Sequence, residues 1–344
     1  MAIAGHLFCS ALFYSLGNQR DNPRRSIVFF SSCLRCKTEV GVCSTPTASL
    51  SSLPVSRLEG GKAVVELVGA FNDLMERMGV ISTTSASELL FKSLKLCIPL
   101  LRSLPYSNDN RSPLSRTLSV ACLLADLQMD AEVISAGLLR EAFEAGVVTM
   151  HDVKVMISAS AAHLLHETLR LKNLPSKVNV LDDESANLLR KFCLTFYDIR
   201  AVILDLVLKL DTMRHIHDLP RYRQLTLSLE VMKIYAPLAH AVGADTISLE
   251  LEDIALQYLL PNSYQYVDAW LKGLQGRSHS VIDACRDQLL KRLKHDSELE
   301  ELVDDIKIEG RYKSRYSTMK KLLKDGRSPE EMNDLLGFTG HIES

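Results

Sequence analysis

The fold is decided by one stretch of the 344-residue chain, YDIRAVILDLVLKLDTMR, residues 197–214. Its apolar side chains recur every three or four residues, so that on a helix they form a single stripe. The stripe consists of Ile199, Val202, Ile203, Leu206, Leu210 and Met213. Such a stripe is stable only when other elements cover it, so the stretch predicts a helix packed among other helices.

Patterns of the same kind on both sides of this stretch predict more helices. They cover about residues 61–78, 85–98, 115–127, 131–145, 150–171, 184–196, 221–242, 266–274 and 281–293. The pattern changes over residues 303–309, where apolar and charged residues alternate as they do in a strand. The sequence therefore predicts a mainly α body, followed from about residue 300 by a fold that contains strands.

The composition is typical of a soluble globular protein. Apolar residues make up 47% of the chain and charged residues 24%, and the formal net charge is −2. That charge argues against a surface built throughout for nucleic acid, and no apolar run approaches the roughly 20 residues that span a bilayer. Single cysteines among apolar neighbours predict reduced thiols in the core. These cysteines are Cys97, Cys122, Cys193 and Cys285.

The first 57 residues are interpreted as a targeting segment. Only Asp21 and Glu39 are acidic there, whereas six residues are basic and serines occur throughout. A basic, serine-rich and acid-poor leader is typical of a transit peptide. Composition does not distinguish a plastid address from a mitochondrial one, and a disordered tail without any address is the alternative interpretation.

A dense run of positive charge follows the candidate strand. It comprises Arg311, Lys313, Arg315, Lys320, Lys321 and Lys324. A solvated helix face is one explanation of such a run. However, Arg311 and Lys313 lie at a strand-to-helix turn, where free amide groups and the helix dipole favour phosphate. The run is therefore a candidate phosphate-binding site.

Several histidines occur at sequence spacings that resemble those of metal ligands. His151 and Asp152 lie at the polar start of a predicted helix, where an aspartate mostly caps the helix. His163 and His166 have no visible third ligand, so we interpret them as surface or core histidines. His240 is interpreted as a buried, hydrogen-bonded histidine.

Four stretches, in this order, resemble the RelA/SpoT homologues, which make and degrade the alarmone (p)ppGpp. They are Leu118–Leu139, Tyr197–Arg214, Lys233–Pro261 and Gly310–Leu323. The third, KIYAPLAHAVGADTISLELEDIALQYLLP, is the most specific. Within the family the chain is most similar to the plant chloroplast calcium-activated type.

This resemblance implies a division of the chain into four parts. Residues 1–57 are expected to be a chloroplast transit peptide, and residues 59–215 a degenerate HD hydrolase-like helical bundle. A helical linker is expected over 216–300, and the first strand and helix of a nucleotidyltransferase-like α+β synthetase domain over 301–344.

The resemblance also implies that the hydrolase site is lost. Family members that degrade ppGpp hold Mn²⁺ with a His, an adjacent His-Asp pair and a distant Asp. The corresponding positions are Arg116, Arg140, Glu141 and Leu208. Arginine and leucine do not bind a cation, and one carboxylate does not hold a divalent ion, so neither Mn²⁺ nor hydrolase activity is expected. Nearby, Glu144 remains, Ala145 replaces an aspartate and Thr212 an asparagine.

For the synthetase, the resemblance implies roles for five residues. Arg311 is expected to stack on the adenine of ATP. Lys313, Ser317 and Lys321 are expected to hold the triphosphate, and Asp334 to bind Mg²⁺. The family reaction transfers the β,γ-pyrophosphate of ATP to the 3′-hydroxyl of GTP or GDP, which requires charge neutralisation and in-line positioning.

The sequence departs from the family after Asp334. Thr339 stands where the family has an arginine, and residues 340–344 do not look like the strand expected next. The domain is therefore interpreted as truncated, and this polypeptide is expected to be inactive by itself. The sequence contains no EF-hand loop, so no calcium site is expected.

Three functions are compatible with these residues and with the resemblance. One is a GTP diphosphokinase of chloroplast ppGpp metabolism, with ATP and GTP or GDP as ligands. Another is a non-catalytic truncated isoform, a helical binding or regulatory module that forms homo- or hetero-oligomers with full-length family members. A bare scaffold without nucleotide contact is a third. Neither nucleic acid nor a membrane span is expected for any of them.

Overall fold

The computed structural model describes residues 61–79, 83–105, 111–175, 182–295, 305–325 and 336–343. The predicted mainly α class is confirmed. The helices are α1 Gly61–Met78, α2 Thr84–Arg102, α3 Pro113–Asp126, α4 Ala131–Glu144, α5 Met150–Met156, α6 Ala159–Lys172, α7 Asp183–Phe196, α8 Ile199–Arg214, α9 Arg221–Glu230, α10 Ala236–Ala241, α11 Asp245–Leu259 and α12 Pro261–Leu293. After them come β1 Asp305–Tyr312, α13 Arg315–Asp325 and β2 Leu336–Glu343. The predicted leader and Asp334 lie outside the described residues.

Helix α8 is the packing centre of the helical body, as its apolar stripe predicts. It packs against α3, α4, α6, α7 and α11. Val202, Leu206 and Met213 are buried, whereas Ile199 in the first turn is 46% exposed. Burial of one such side chain stabilises a fold by about 1.5–3 kcal/mol. The stripe of α8 therefore holds the surrounding helices together.

Short polar side chains account for where many of the helices begin. Each accepts a hydrogen bond from a backbone amide of the first turn and so replaces a partner that the helix itself cannot supply. These residues are Thr83, Ser112, Asp130, Thr149, Ser158, Asp182 and Asp198. Ser158 also explains a difference from prediction. The helix expected over 150–171 is divided into α5 and α6, because the Ser158 hydroxyl starts a new helix.

The helix predicted over 221–242 contains a π turn, Val231–Tyr235, between α9 and α10. The cause lies just after the turn, at Pro237. A proline has no N–H with which to bond the carbonyl four residues before it, here that of Lys233. That carbonyl accepts a hydrogen bond from the guanidinium of Arg190 on α7 instead.

Strands β1 and β2 form an antiparallel pair, in which Ile308 pairs with Gly340 and Asp305 with Glu343. The predicted strand and the helix after it are both present. Residues 340–344 do not look like the strand that the family has next, but 340–343 do belong to a strand and pair with 305–308. Helix α12 is continuous for 33 residues, where the sequence predicts two shorter helices. Among the described helices, none has the apolar length that crossing a bilayer requires.

The four single cysteines are free thiols, but only two of them lie in the core. Burial raises the pKa of the Cys97 thiol to about 12 and that of Cys193 to about 11. Cys122 is half-buried, and Cys285 is exposed on α12, so the prediction of a core position is wrong for Cys285.

Two glycines allow the packing of this body to be tested. A methyl group at Gly137 of α4 would lie 2.9 Å from Leu124 Cδ1 and 3.4 Å from Leu204 Cδ1, whereas one at Gly69 of α1 meets nothing within 4 Å. Both substitutions by alanine gain the same helix propensity, about 1 kcal/mol. We expect Gly69→Ala to raise the free energy of unfolding, and Gly137→Ala to be less stable than it by about 1–3 kcal/mol. Urea unfolding followed by circular dichroism measures both. Equal effects would show that the core around Gly137 is not tightly packed.

Candidate functional site

The positions implied for the lost hydrolase ligands come together in the structure. Arg116 on α3, Arg140 and Glu141 on α4, and Leu208 on α8 all line one cavity of about 640 Å³. Glu144, Ala145 and Thr212, which the family resemblance places beside them, line the same cavity. We call it the hydrolase-like cavity. Residues far apart in sequence converge there because α3 and α4 both pack on α8.

Two carboxylates of this cavity, those of Glu141 and Glu144, are held by the protein's own cations. Glu141 accepts a hydrogen bond from Arg116 Nη2 at 2.9 Å. Glu144 is 2.8 Å from Arg140 Nη2 and 2.9 Å from Lys172 Nζ. Because the guanidinium groups already occupy these oxygens, the acids are not available to a metal ion without loss of the ion pairs.

Burial shapes the electrostatics of the cavity. Desolvation raises the pKa of Glu141 above its ordinary value, although Arg116 opposes the shift. Desolvation also raises the pKa of Asp205, which is opposed by Lys209 and Arg140. The Lys209 ammonium lies 4.3 Å from the centre of the Tyr235 ring, a cation–π contact. The cavity is thus lined by many charged groups, and the protein's own positive side chains balance its acids.

The residues of this cavity do not fit the Mn²⁺ site of the family. Two of the four ligand positions carry permanent cations and a third carries a hydrocarbon, so one carboxylate remains. Among the described residues, no group of three or more His, Cys, Asp and Glu side chains is arranged to hold a metal ion. We therefore derive no metal-dependent step at this cavity.

The histidines whose sequence positions resemble those of metal ligands do not line this cavity. Asp152 forms a capping box with Thr149 at the start of α5, as its position in the sequence predicts. His163 and His166 are exposed on α6. The interpretation of His240 as buried is wrong. Its side chain is 76% exposed, and Nδ1 lies 2.7 Å from Asp245 Oδ1.

The residues implied for ATP binding lie around the turn from β1 to α13. Arg311 is on β1, Lys313 follows the strand, and Ser317 and Lys321 are on α13. Lys313, Ser317 and Lys321 are half-buried. Their spacing of four residues places Ser317 and Lys321 on one face of the helix. The structure therefore places Ser317 and Lys321 on a common face of α13, while Asp334 lies outside the described residues.

The amides at the start of α13 are not free, contrary to the sequence-based argument for phosphate at this helix end. Asp253 on α11 accepts hydrogen bonds from Tyr316 N at 3.0 Å and from Arg315 N at 3.3 Å. Ser317 N donates to Ser314 Oγ at 3.1 Å. Since the protein's own oxygens fill this helix end, a phosphate group there would have to displace Asp253.

Sequence reasoning missed Asp253 and a second acid, Asp268 on α12. The Arg315 side chain donates to Asp268 Oδ1 from Nε at 3.0 Å and from Nη2 at 2.9 Å. No local pattern marks these aspartates, because their partners are 62 and 47 residues away. The only signal is indirect. A run of cations with almost no acid among them predicts that acids from another part of the chain lie beside it.

An apolar cluster joins α13 to the two helices before it. Leu256 of α11, Val267 and Leu271 of α12 and Met319 of α13 are buried together. Trp270, the only tryptophan of the chain, packs against this linker cluster. Beside it, desolvation raises the pKa of Glu252 to about 7, with Asp253 acting in the same direction and Lys320 and His240 opposing.

Known proteins resemble this chain over most of its length. Residues 94–245 match the HD domain family. The chain is 60% identical over 293 residues to the probable chloroplastic GTP diphosphokinase CRSH of Arabidopsis thaliana, covering 85% of this chain and 50% of that protein. It is 60% identical over 285 residues to the chloroplastic GTP diphosphokinase CRSH1 of Oryza sativa subsp. japonica, covering 83% and 48%.

A more distant relative is the probable guanosine-3′,5′-bis(diphosphate) 3′-pyrophosphohydrolase of Synechocystis sp. (strain ATCC 27184 / PCC 6803 / Kazusa). It is 27% identical over 234 residues, which cover 67% of this chain and 30% of that protein. The chain spans about half the length of the plant relatives it matches.

The hydrolase-like cavity can be tested by restoring the family ligands. A variant with Arg116→His, Arg140→His, Glu141→Asp and Leu208→Asp presents two imidazoles and two carboxylates. We expect Mn²⁺ to raise the Tm of this variant, because a ligand that binds only the folded state stabilises it. The wild type is expected to show no such rise in differential scanning fluorimetry. The same variant without Leu208→Asp is the control and is expected to respond less. A wild-type Tm that rises as much as that of the full variant would contradict the loss of the site.

Glu252 predicts a pH dependence of stability. Below its ordinary pKa of 4.5 the Glu252 carboxyl is neutral in both the folded and the unfolded protein. Above about 7 it is ionised in both, and the folded protein then bears the cost of a desolvated charge. We expect the free energy of unfolding of the wild type to fall, relative to Glu252→Gln, as pH rises between these values. Urea titrations monitored by Trp270 fluorescence at several pH values measure the difference. Parallel curves for the two proteins would contradict the prediction.

Proposed function

This chain is homologous to the plant chloroplastic GTP diphosphokinases and, more distantly, to the RelA/SpoT proteins, and on that premise we propose that it serves ppGpp synthesis. The observation that carries the proposal is the 60% identity to chloroplastic GTP diphosphokinases over 85% of the chain. The proposed reaction transfers a pyrophosphate group from ATP to GTP or GDP.

The proposed ATP contacts are Arg311, Lys313, Ser317 and Lys321. Ser317 and Lys321 support this role by their position, because they lie roughly half a helical turn away from Met319, which packs into the linker cluster. Their ammonium and hydroxyl groups can donate to phosphate oxygens, which a triphosphate requires. We further propose that Mg²⁺ accompanies ATP in this reaction and that Asp334 binds it.

The helical body has a different proposed role. We propose that residues 59–215 form an HD hydrolase-like domain that does not hydrolyse ppGpp, that 216–300 form a linker, and that 301–344 belong to the synthetase. The pairing of Arg116 with Glu141 and of Arg140 with Glu144 supports the loss of hydrolysis. The chloroplast is the proposed compartment, because the plant relatives are named chloroplastic and the first 57 residues are basic, serine-rich and poor in acid.

A second candidate function is a non-catalytic regulatory module. The specific observation in its favour is the docking of α13 on α11 and α12, which ties the start of the proposed synthetase to the proposed linker. In this role the chain binds nucleotide without turnover or pairs with longer family members. Assembly with such partners stays a prediction from the family resemblance.

The ATP site is tested by measuring the dissociation constant of the 344-residue protein for Mg-ATP by isothermal titration calorimetry. Lys321→Ala removes one charged contact with the triphosphate, so we expect the dissociation constant to rise by about tenfold. Lys291→Ala, which removes an exposed lysine from the last turn of α12, outside the basic run, is the matched control and is expected to change it by less than about twofold.

Two results would contradict this site. One is the absence of saturable ATP binding by the wild type, and the other is an equal loss in the two lysine variants. A parallel assay with labelled ATP and GTP distinguishes the two candidate functions. Formation of ppGpp above the level of Lys321→Ala supports the enzyme and contradicts the prediction that this polypeptide is inactive alone, whereas binding without turnover supports the regulatory module.

A further inference from the structure

One guanidinium group links the β1–α13 segment to both linker helices. Arg315 lies between α11 and α12, with Asp268 Oδ1 2.9 Å from Nη2 and Asp253 Oδ2 3.5 Å from Nη1. The three side chains are 32%, 17% and 18% exposed, in the order Arg315, Asp268, Asp253. Partly buried charges are screened less by salt than exposed ones. Arg315 therefore ties α13 to both linker helices at once.

Asp253 does more than pair with a side chain. Its carboxylate also accepts the amide hydrogens of Arg315 and Tyr316, the first two residues of α13. A carboxylate at a helix start is favoured by both the free amides and the helix dipole. Asp253 thus fixes where α13 begins, although it belongs to a different helix.

The linker cluster fixes the rotational orientation of α13 about its own axis. Met319 is buried in the cluster, and Tyr316 and Leu322 pack against it. Successive residues of a helix turn by about 100°, so Ser317 and Lys321 point away from the linker when Met319 points toward it. Both the start and the rotation of the helix are therefore set by α11 and α12.

We infer that Asp253 is a positioning residue for the proposed nucleotide site, holding α13 so that Lys313, Ser317 and Lys321 meet the triphosphate. The inference rests on the proposed function, because the ligand is the ATP proposed above. It also specifies how that ligand is held. Since Asp253 and Ser314 occupy the amides at the helix start, the phosphates are bound by side chains and not by the helix end.

Three variants test this inference in the 344-residue protein. Asp253→Ala removes the cap and one ion pair, whereas Asp253→Asn keeps an oxygen acceptor, and asparagine caps helices as well as aspartate does. Glu250→Ala is the matched control, because Glu250 lies on the same helix but pairs with Arg214 of α8 instead of α13. The readouts are amide hydrogen exchange of peptides from α13 and the dissociation constant for Mg-ATP.

We expect Asp253→Ala to accelerate exchange in α13 and to raise the dissociation constant for ATP, each by about tenfold, the usual size of a lost cap and charged hydrogen bond. Asp253→Asn and Glu250→Ala are expected to stay within about twofold of the wild type in both readouts. Rescue by asparagine separates positioning from a general loss of stability.

The outcomes are distinguishable. Unchanged exchange in α13, or unchanged ATP affinity despite faster exchange, would overturn the inference and leave the proposed function standing. No ATP binding by the wild type would overturn the proposed function and the inference with it. If Asp253→Ala does not fold, Arg315→Gln tests the same contact from the α13 side. It is expected to raise the ATP dissociation constant, and an unchanged value overturns the inference.

Discussion

Burial of helix α8 is the constraint on which the rest of the structure depends. Its Val202, Leu206 and Met213 side chains are inaccessible to water, and five other helices pack around it. Two of those helices, α3 and α4, bring their charged residues to the hydrolase-like cavity beside α8. A third, α11, leads from the same packing centre to the contact with α13. One buried helix therefore supports both candidate functional regions of the chain.

The hydrolase-like cavity shows how arginine side chains can neutralise converging acids within an intact helical fold. A divalent ion neutralises the acids that converge on it, and removal of the ion alone leaves buried charges that repel one another. Here Arg116 and Arg140 supply the positive charge, each within hydrogen-bonding distance of a glutamate. Removing one member of such a pair is costly because the other charge is left buried without compensation. These arginines are therefore part of the cavity's structure, and as permanent cations they do not bind a metal ion.

Local patterns predicted the parts of the fold that depend on local interactions. The stripe of α8 and the cap at Asp152 were readable because both need only neighbouring residues. The family resemblance identified the cavity positions, because a fold can be carried over even where its ligands are replaced. The π turn before Pro237, the pairing of β2 with β1 and the cap supplied by Asp253 were not predicted. The strand pairing and the Asp253 cap depend on partners far away in the chain, which no periodicity records. The π turn follows from Pro237 itself, whose missing N–H a hydrophobic periodicity does not register.

The length of helix α12 has a mechanical consequence for its contact with α13. It is unbroken over 33 residues, so it is about 50 Å long, and its first turns carry Asp268 and part of the linker cluster. Over this length, a small tilt of the helix becomes a large displacement of its far end. A tilt of about 5° at Pro261 displaces the far end by about 4 Å, roughly the width of a side chain. A molecule that binds the distal turns of α12 thus acts on the position of α13, the helix that carries Ser317 and Lys321.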